Sequence, residues 1–120
     1  MSKTNDVKKK TLEKVTVSRI MRAITRHEGF HFFKEQGDST GKIATSLVDF
    51  AKKLEALDVR SVNFHFKRRD FEKWIRNIIG DTEVSTNISR IREDSHGEKL
   101  RNELLQIVRG RLEELTNLAS

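Results

Sequence analysis

Apolar residues recur at helical spacing through most of this chain, and that periodicity constrains the fold more than any other feature. Leu47, Phe50, Ala51, Leu54 and Leu57 form one stripe, the buried face of a helix with 3.6 residues per turn. Phe71, Trp74, Ile75, Ile78 and Ile79 fall at i, i+3, i+4, i+7 and i+8, and Gly80 ends that helix. Val84, Ile88 and Ile91 add two turns. A long last helix carries Leu100, Leu104, Leu105, Ile107, Val108, Leu112, Leu115 and Leu118, with Gly110 inside it at a cost of about 1 kcal/mol relative to Ala. Near the start, Ile20, Met21 and Ile24 predict a helix over 18–27, capped by Ser18, with Gly29 in the left-handed position after it. An earlier helical stretch through Leu12 and Val15 leads toward it across a junction weakened by Thr16 and Val17.

Cap signals divide these stripes. Thr45 or Ser46 precedes the first of them, and Ser46 with Asp49 approximates a capping box. Asp70 is the expected cap of the Phe71 helix. Ser95 with Glu98 makes a second box, before the last helix. One region departs from helical period. Gly29-Phe30-His31-Phe32-Phe33-Lys34 reads as a strand, Glu35 to Gly41 as a polar loop, and Lys42-Ile43-Ala44 as the returning strand. Residues 61–67 fit two readings. Val62, Phe64 and Phe66 alternate as in a strand, whereas Ser61 as cap with Val62, His65 and Phe66 on one face describes a short helix. The expected fold is α+β, mainly helical, with a small N-terminal β-hairpin packed against a bundle of about five helices. Residues 1–15 are expected to be a flexible basic tail and 16–120 a single compact domain.

At 120 residues the chain supports one core. It has no Cys, which removes disulfides, thiolate zinc sites and a Cys nucleophile. No apolar run approaches the ~20 residues that span a bilayer, and no apolar stretch follows the N-terminal lysines as in a secretory signal. A cytoplasmic protein without a membrane partner is the expectation. The 24 Lys and Arg exceed the 18 Asp and Glu by 24 − 18 = +6. Residues 1–15 carry +3, residues 16–80 carry +5 and residues 81–120 carry −2, so the positive field belongs to the front two thirds.

Motifs for chemistry are sparse. Gly37-Asp38-Ser39-Thr40-Gly41-Lys42 has three residues between its glycines and Ile after the Lys, where a phosphate loop needs four and a Ser or Thr. A hairpin turn accounts for it. His27, His31, His65 and His96 never stand four apart on one helix as a metal-ligand pair would, and His31 and His65, each between two Phe residues, read as core-edge or hydrogen-bonded imidazoles. Glu28, Asp38 and Asp70 read as helix-end, turn or cap residues. No catalytic residue, metal ligand or cofactor is expected. If both Phe-His-Phe tracts were neighbouring strands, their rings beside Lys34, Lys67, Arg68 and Arg69 would resemble a stacking platform for single strands. The core has the first claim on those rings.

The cations give a further signal. Arg19, Arg22 and Arg26 share one stripe with no acid at i+3 or i+4, and Lys67, Arg68 and Arg69 lead into a helix whose polar side carries Lys73 and Arg76. With Lys8, Lys9 and Lys10, these are the expected phosphate contacts. The last helix is different: its charges are expected to pair internally, Lys99 with Glu103, Arg109 with Glu113 and Arg111 with Glu114. Leu105 and Ile107 lie off its main apolar line, as a partner-facing pair would.

Read in order, Phe30-x-Phe32-Phe33, Gly41-Lys42-x-Ala44-Thr45-Ser46-Leu47-x-x-Phe50, Ser61-x-x-Phe64-His65, Asp70-Phe71-x-x-Trp74-Ile75 and Gly80-Asp81 resemble a small archaeal and bacterial domain family of unknown function. The resemblance covers about residues 17–118, leaves the Lys-rich residues 1–15 outside, and implies that the Ser61-x-x-Phe64-His65 phrase is helical. Relatives near carbohydrate-metabolism enzymes imply an accessory or regulatory role, and the family brings no catalytic residues. The expected function is a non-enzymatic binding module that engages RNA, DNA or a ribonucleoprotein through its basic face and tail. The alternative is a protein-interaction or regulatory adaptor, with a protein partner or second copy seated on Leu105 and Ile107.

Overall fold

The computed structural model describes residues 13–119; the Lys8–Lys10 run lies outside them. Helix α1 (residues 13–21) leads through an irregular segment to β1 (Phe30–Glu35) and β2 (Asp38–Ala44), then α2 (Leu47–Ala56), α3 (Val59–Lys67) and α4 (Asp70–Trp74). A π-helical turn, Ile75–Ile79, continues α4 and is followed by α5 (Thr82–Ser89) and α6 (Gly97–Ala119). The result is the expected α+β, mainly helical fold, with a two-stranded antiparallel hairpin against the helices.

Local signals placed some of these elements well. Ser46 caps α2, its Oγ accepting from the Asp49 N–H at 3.0 Å, while Asp49 reaches back to accept from the Thr45 N–H at 3.1 Å. Ser46→Ala is expected to lower stability by about 1 kcal/mol, the usual worth of a cap, read as a shifted midpoint in urea unfolding. Gly80, at φ 88°, ends the π turn, and its N–H donates to the Ile75 carbonyl.

Tertiary contacts moved others. Helix α1 covers residues 13–21 and not 18–27, so residues 13–15 belong to a helix and not to a tail. It stops because the next segment bonds elsewhere: the Ile24 N–H donates to the Thr45 carbonyl at 2.8 Å. Gly29 is not in the left-handed region. It is needed because a Cβ there would lie 2.7 Å from Ile43 Cγ2 and 2.8 Å from the Ala44 carbonyl oxygen. The returning strand starts at Asp38, four residues earlier than expected, and absorbs the surplus in register shifts on either side of Phe33. Segment 61–67 is helical, and its cap is Asp58, whose side chain accepts from the Arg60 N–H. Asp70 is the first residue of α4 and not its cap. Ser95 does not cap α6: its hydroxyl donates to Glu103, while Asn63 accepts from the Gly97 N–H at 2.8 Å.

The core is aromatic on the hairpin side and aliphatic toward α6. Phe30, Phe32, Phe50, Phe71 and Trp74 are all buried, with the Phe30 ring 5.2 Å from Phe71 and 5.8 Å from Phe50. Leu105 belongs to this core at 6% exposure, and Ile107 packs against it half-buried. The expected partner-facing pair therefore serves the domain itself. Ser61 is fully buried within α3 and its hydroxyl has no hydrogen-bond partner among the described residues. A desolvated hydroxyl without a bond is a cost, so Ser61→Ala is expected to raise stability by about 1 kcal/mol, seen as a higher melting temperature.

Candidate binding cleft

His65 organises the junction between hairpin and helices. It sits on α3, 3% exposed, among the rings of Phe30, Phe33, Phe64 and Phe71. Its Nε2 accepts from the Phe33 backbone N–H at 2.8 Å, so the neutral ring carries its proton on Nδ1 and donates it to Asp70 Oδ2 at 2.8 Å. Burial pushes its pKa below the ordinary 6.5; the Asp70 carboxylate opposes that and Arg68 adds to it. Both ring nitrogens are engaged, which fits the hydrogen-bonded imidazole expected from the sequence. His31 is exposed, with Nε2 3.2 Å from the Arg26 carbonyl oxygen.

Above His65 lies a cleft of about 290 Å³ between the hairpin and α3, lined chiefly by Phe33, Phe64, His31, Gln36, Arg68 and Asp70. Phe33 and Phe64 are half-buried and line the opening. Arg68 lies over the Phe64 ring with its guanidinium carbon 5.1 Å from the centroid, a cation–π contact. Only its Nε is used, toward Asp70 at 3.2 Å. Its two terminal nitrogens have no partner among the described residues. The cleft is thus mostly apolar, with a guanidinium fork at its lip. The sequence carried part of this signal, since His65 and Asp70 stand five apart across a helix junction. The sequence does not show Phe33 and Phe64 as cleft walls, because they line one cleft only once the hairpin folds onto α3.

The expected basic face is more interrupted than the sequence implied. Arg22 donates to the carbonyls of Ile78 at 2.6 Å and Ile79 at 3.1 Å, closing the end of the π turn. Arg68 meets Asp70, Arg69 meets Glu72 and Glu93, and Arg76 approaches Glu72 at 3.9 Å. Arg19, Arg26, Lys67 and Lys73 are exposed and form no ion pair among the described residues. On α6 the Arg111–Glu114 pair forms as expected, but Arg109 pairs with Glu55 of α2 at 2.7 Å and Glu103 takes the Ser95 hydroxyl. Among the described residues no group of three or more His, Asp or Glu is placed to hold a metal ion, and no helix is long and apolar enough to cross a membrane.

Comparison with known proteins gives one family. The family model described as "Family of unknown function (DUF5752)" matches residues 3–109. That span corrects the expected limits, for it takes in most of the Lys-rich segment and ends within α6. No curated protein and no solved structure matches the chain.

Proposed function

We propose, from the premise that this chain belongs to the DUF5752 family of unknown function, that it is a non-enzymatic protein-interaction module. Its hairpin–α3 cleft receives an apolar side chain of a partner segment, and Arg68 receives an acidic group beside it. The observation that carries this reading is the Arg68–Phe64 stack at the lip of the cleft, with two guanidinium nitrogens unspent. Concave apolar surface with a few placed polar groups is what anchor residues fill. The pairing of Arg68, Arg69 and Arg76 with carboxylates removes much of the field a polyanion would need.

A second reading, contact with nucleic acid, draws on the same stack and on exposed Arg26, Lys67 and Lys73. There a base stacks on Phe64 and these exposed cations follow the backbone. A pull-down from cell extract with and without nuclease, using the wild type and Phe64→Ala/Arg68→Glu, tests both. The adaptor reading expects a protein that survives nuclease and high salt and is lost with the double variant. Loss on nuclease treatment, with binding that falls steeply with salt, selects the nucleic-acid reading. Capture unaffected by the double variant overturns the cleft as the site.

A further inference from the structure

On the other side of the same helix junction lies a second cleft, of about 320 Å³, between the end of α3, α4 and the loop after α5. Phe66, Ile88 and Ile91 supply its apolar lining, and Lys67, Arg69, Glu72 and Glu93 its charges. Arg69 is the one non-glycine residue with positive φ among those described, at φ 62° and ψ 24°. That conformation is uncommon for a side-chain-bearing residue, and held outliers gather at binding sites. It lets the chain reverse between Arg68, which serves the first cleft, and Arg69, which lines the second.

The ion pairs of Arg69 are long, 3.3 Å to Glu72 and 3.5 Å to Glu93, and the Glu93 side chain is 92% exposed. Such a surface contact is easily exchanged. Glu72 is buried and has Arg76 as a second cation at 3.9 Å. When Glu93 swings into solvent, Arg69 Nη2 and Lys67 are left facing the cleft, whose remaining carboxylate is shared between Arg69 Nη1 and Arg76. The Lys67 ammonium has no hydrogen bond or ion pair among the described residues.

We infer that this second cleft binds a small organic anion, a phosphate or carboxylate head on an apolar or planar body. The head displaces Glu93 and takes the Arg69 Nη2 that Glu93 releases together with the Lys67 ammonium, while Nη1 stays on Glu72. The body lies on Phe66, Ile88 and Ile91. This site is separate from the hairpin–α3 cleft and does not depend on the function proposed for it.

The test is an amide NMR titration with phenyl phosphate, benzoate, inorganic phosphate and benzyl alcohol. Phenyl phosphate or benzoate is expected to give saturable shifts at Lys67, Arg69 and Ile91, at least about tenfold tighter than the other two probes; which of the two binds identifies the head group. Arg69→Gly is expected to abolish those shifts while the melting temperature holds or rises, because glycine adopts φ 62° without strain. Lys67→Ser, a change at an exposed residue, weakens them without touching Arg69. Inorganic phosphate or benzyl alcohol binding as tightly as the aromatic anions overturns the proposal. So does full affinity in Arg69→Gly, or shifts located elsewhere.

Discussion

Asp81→Ala is expected to destabilise the domain by about 4 kcal/mol, since one side chain performs two tasks there. Asp81 is 1% exposed and caps α5, its Oδ1 accepting from the N–H groups of Glu83 and Val84. Its other oxygen accepts from Arg111 Nε at 2.8 Å. Alanine removes the cap, worth about 1–2 kcal/mol, and leaves a largely buried guanidinium short of its most buried partner, a loss that reaches about 3–5 kcal/mol for a fully broken pair. Glu83 and Glu114 still hold Arg111, which keeps the sum below the full total. Asp81→Asn separates the tasks, for its amide oxygen keeps the cap while the charge is lost. Urea unfolding should place it about midway between wild type and Asp81→Ala; equality with wild type would show that the ion pair adds nothing.

His65→Leu is expected to cost about 3 kcal/mol, chiefly by orphaning the part-buried Phe33 N–H and by ending the bond to Asp70. The same geometry fixes a pH dependence and its sign. Burial lowers the folded pKa of His65 below 6.5, so between the two values the unfolded chain binds more protons than the folded one. The His65 contribution to stability is complete above about pH 6.5 and is lost as pH falls from there through the lowered folded pKa. Protonation puts an N–H on Nε2, where it opposes the Phe33 N–H. Unfolding measured from pH 7.5 down to 5 should therefore show a decline in the wild type that His65→Leu lacks. Parallel curves for the two proteins would mean that His65 does not titrate with folding.

These two residues also mark where the sequence could be read and where it could not. The α2 stripe and the Ser46–Asp49 box were legible because every partner lies within four residues. The hairpin was legible from its Phe-rich strand and glycines, but not its register, which depends on how β2 meets the core. Leu105 looked like surplus apolar surface because the number of helices packing on α6 is not a local quantity. The cations misled for the same reason. Arg69 meets Glu93 and Arg109 meets Glu55 across 24 and 54 residues, and Arg22 closes carbonyls 56 and 57 residues away. An Arg stripe without local acids is therefore not an unpaired stripe. The cleft was hidden likewise, since Phe33 and Phe64 come from a strand and a helix brought together by the His65–Phe33 bond and by the packing of the β1 rings on His65.

The account rests on the hairpin–α3 cleft being the surface through which this protein recognises a partner. Selection of displayed random peptides against the wild type, depleted on Phe64→Ala/Arg68→Glu, addresses it directly, with the winning peptide mapped by amide NMR. The account predicts peptides with an aromatic or aliphatic anchor beside an Asp or Glu, and shifts centred on Phe33, Phe64 and Arg68. Enrichment that survives depletion, or shifts that leave the cleft untouched, would contradict it.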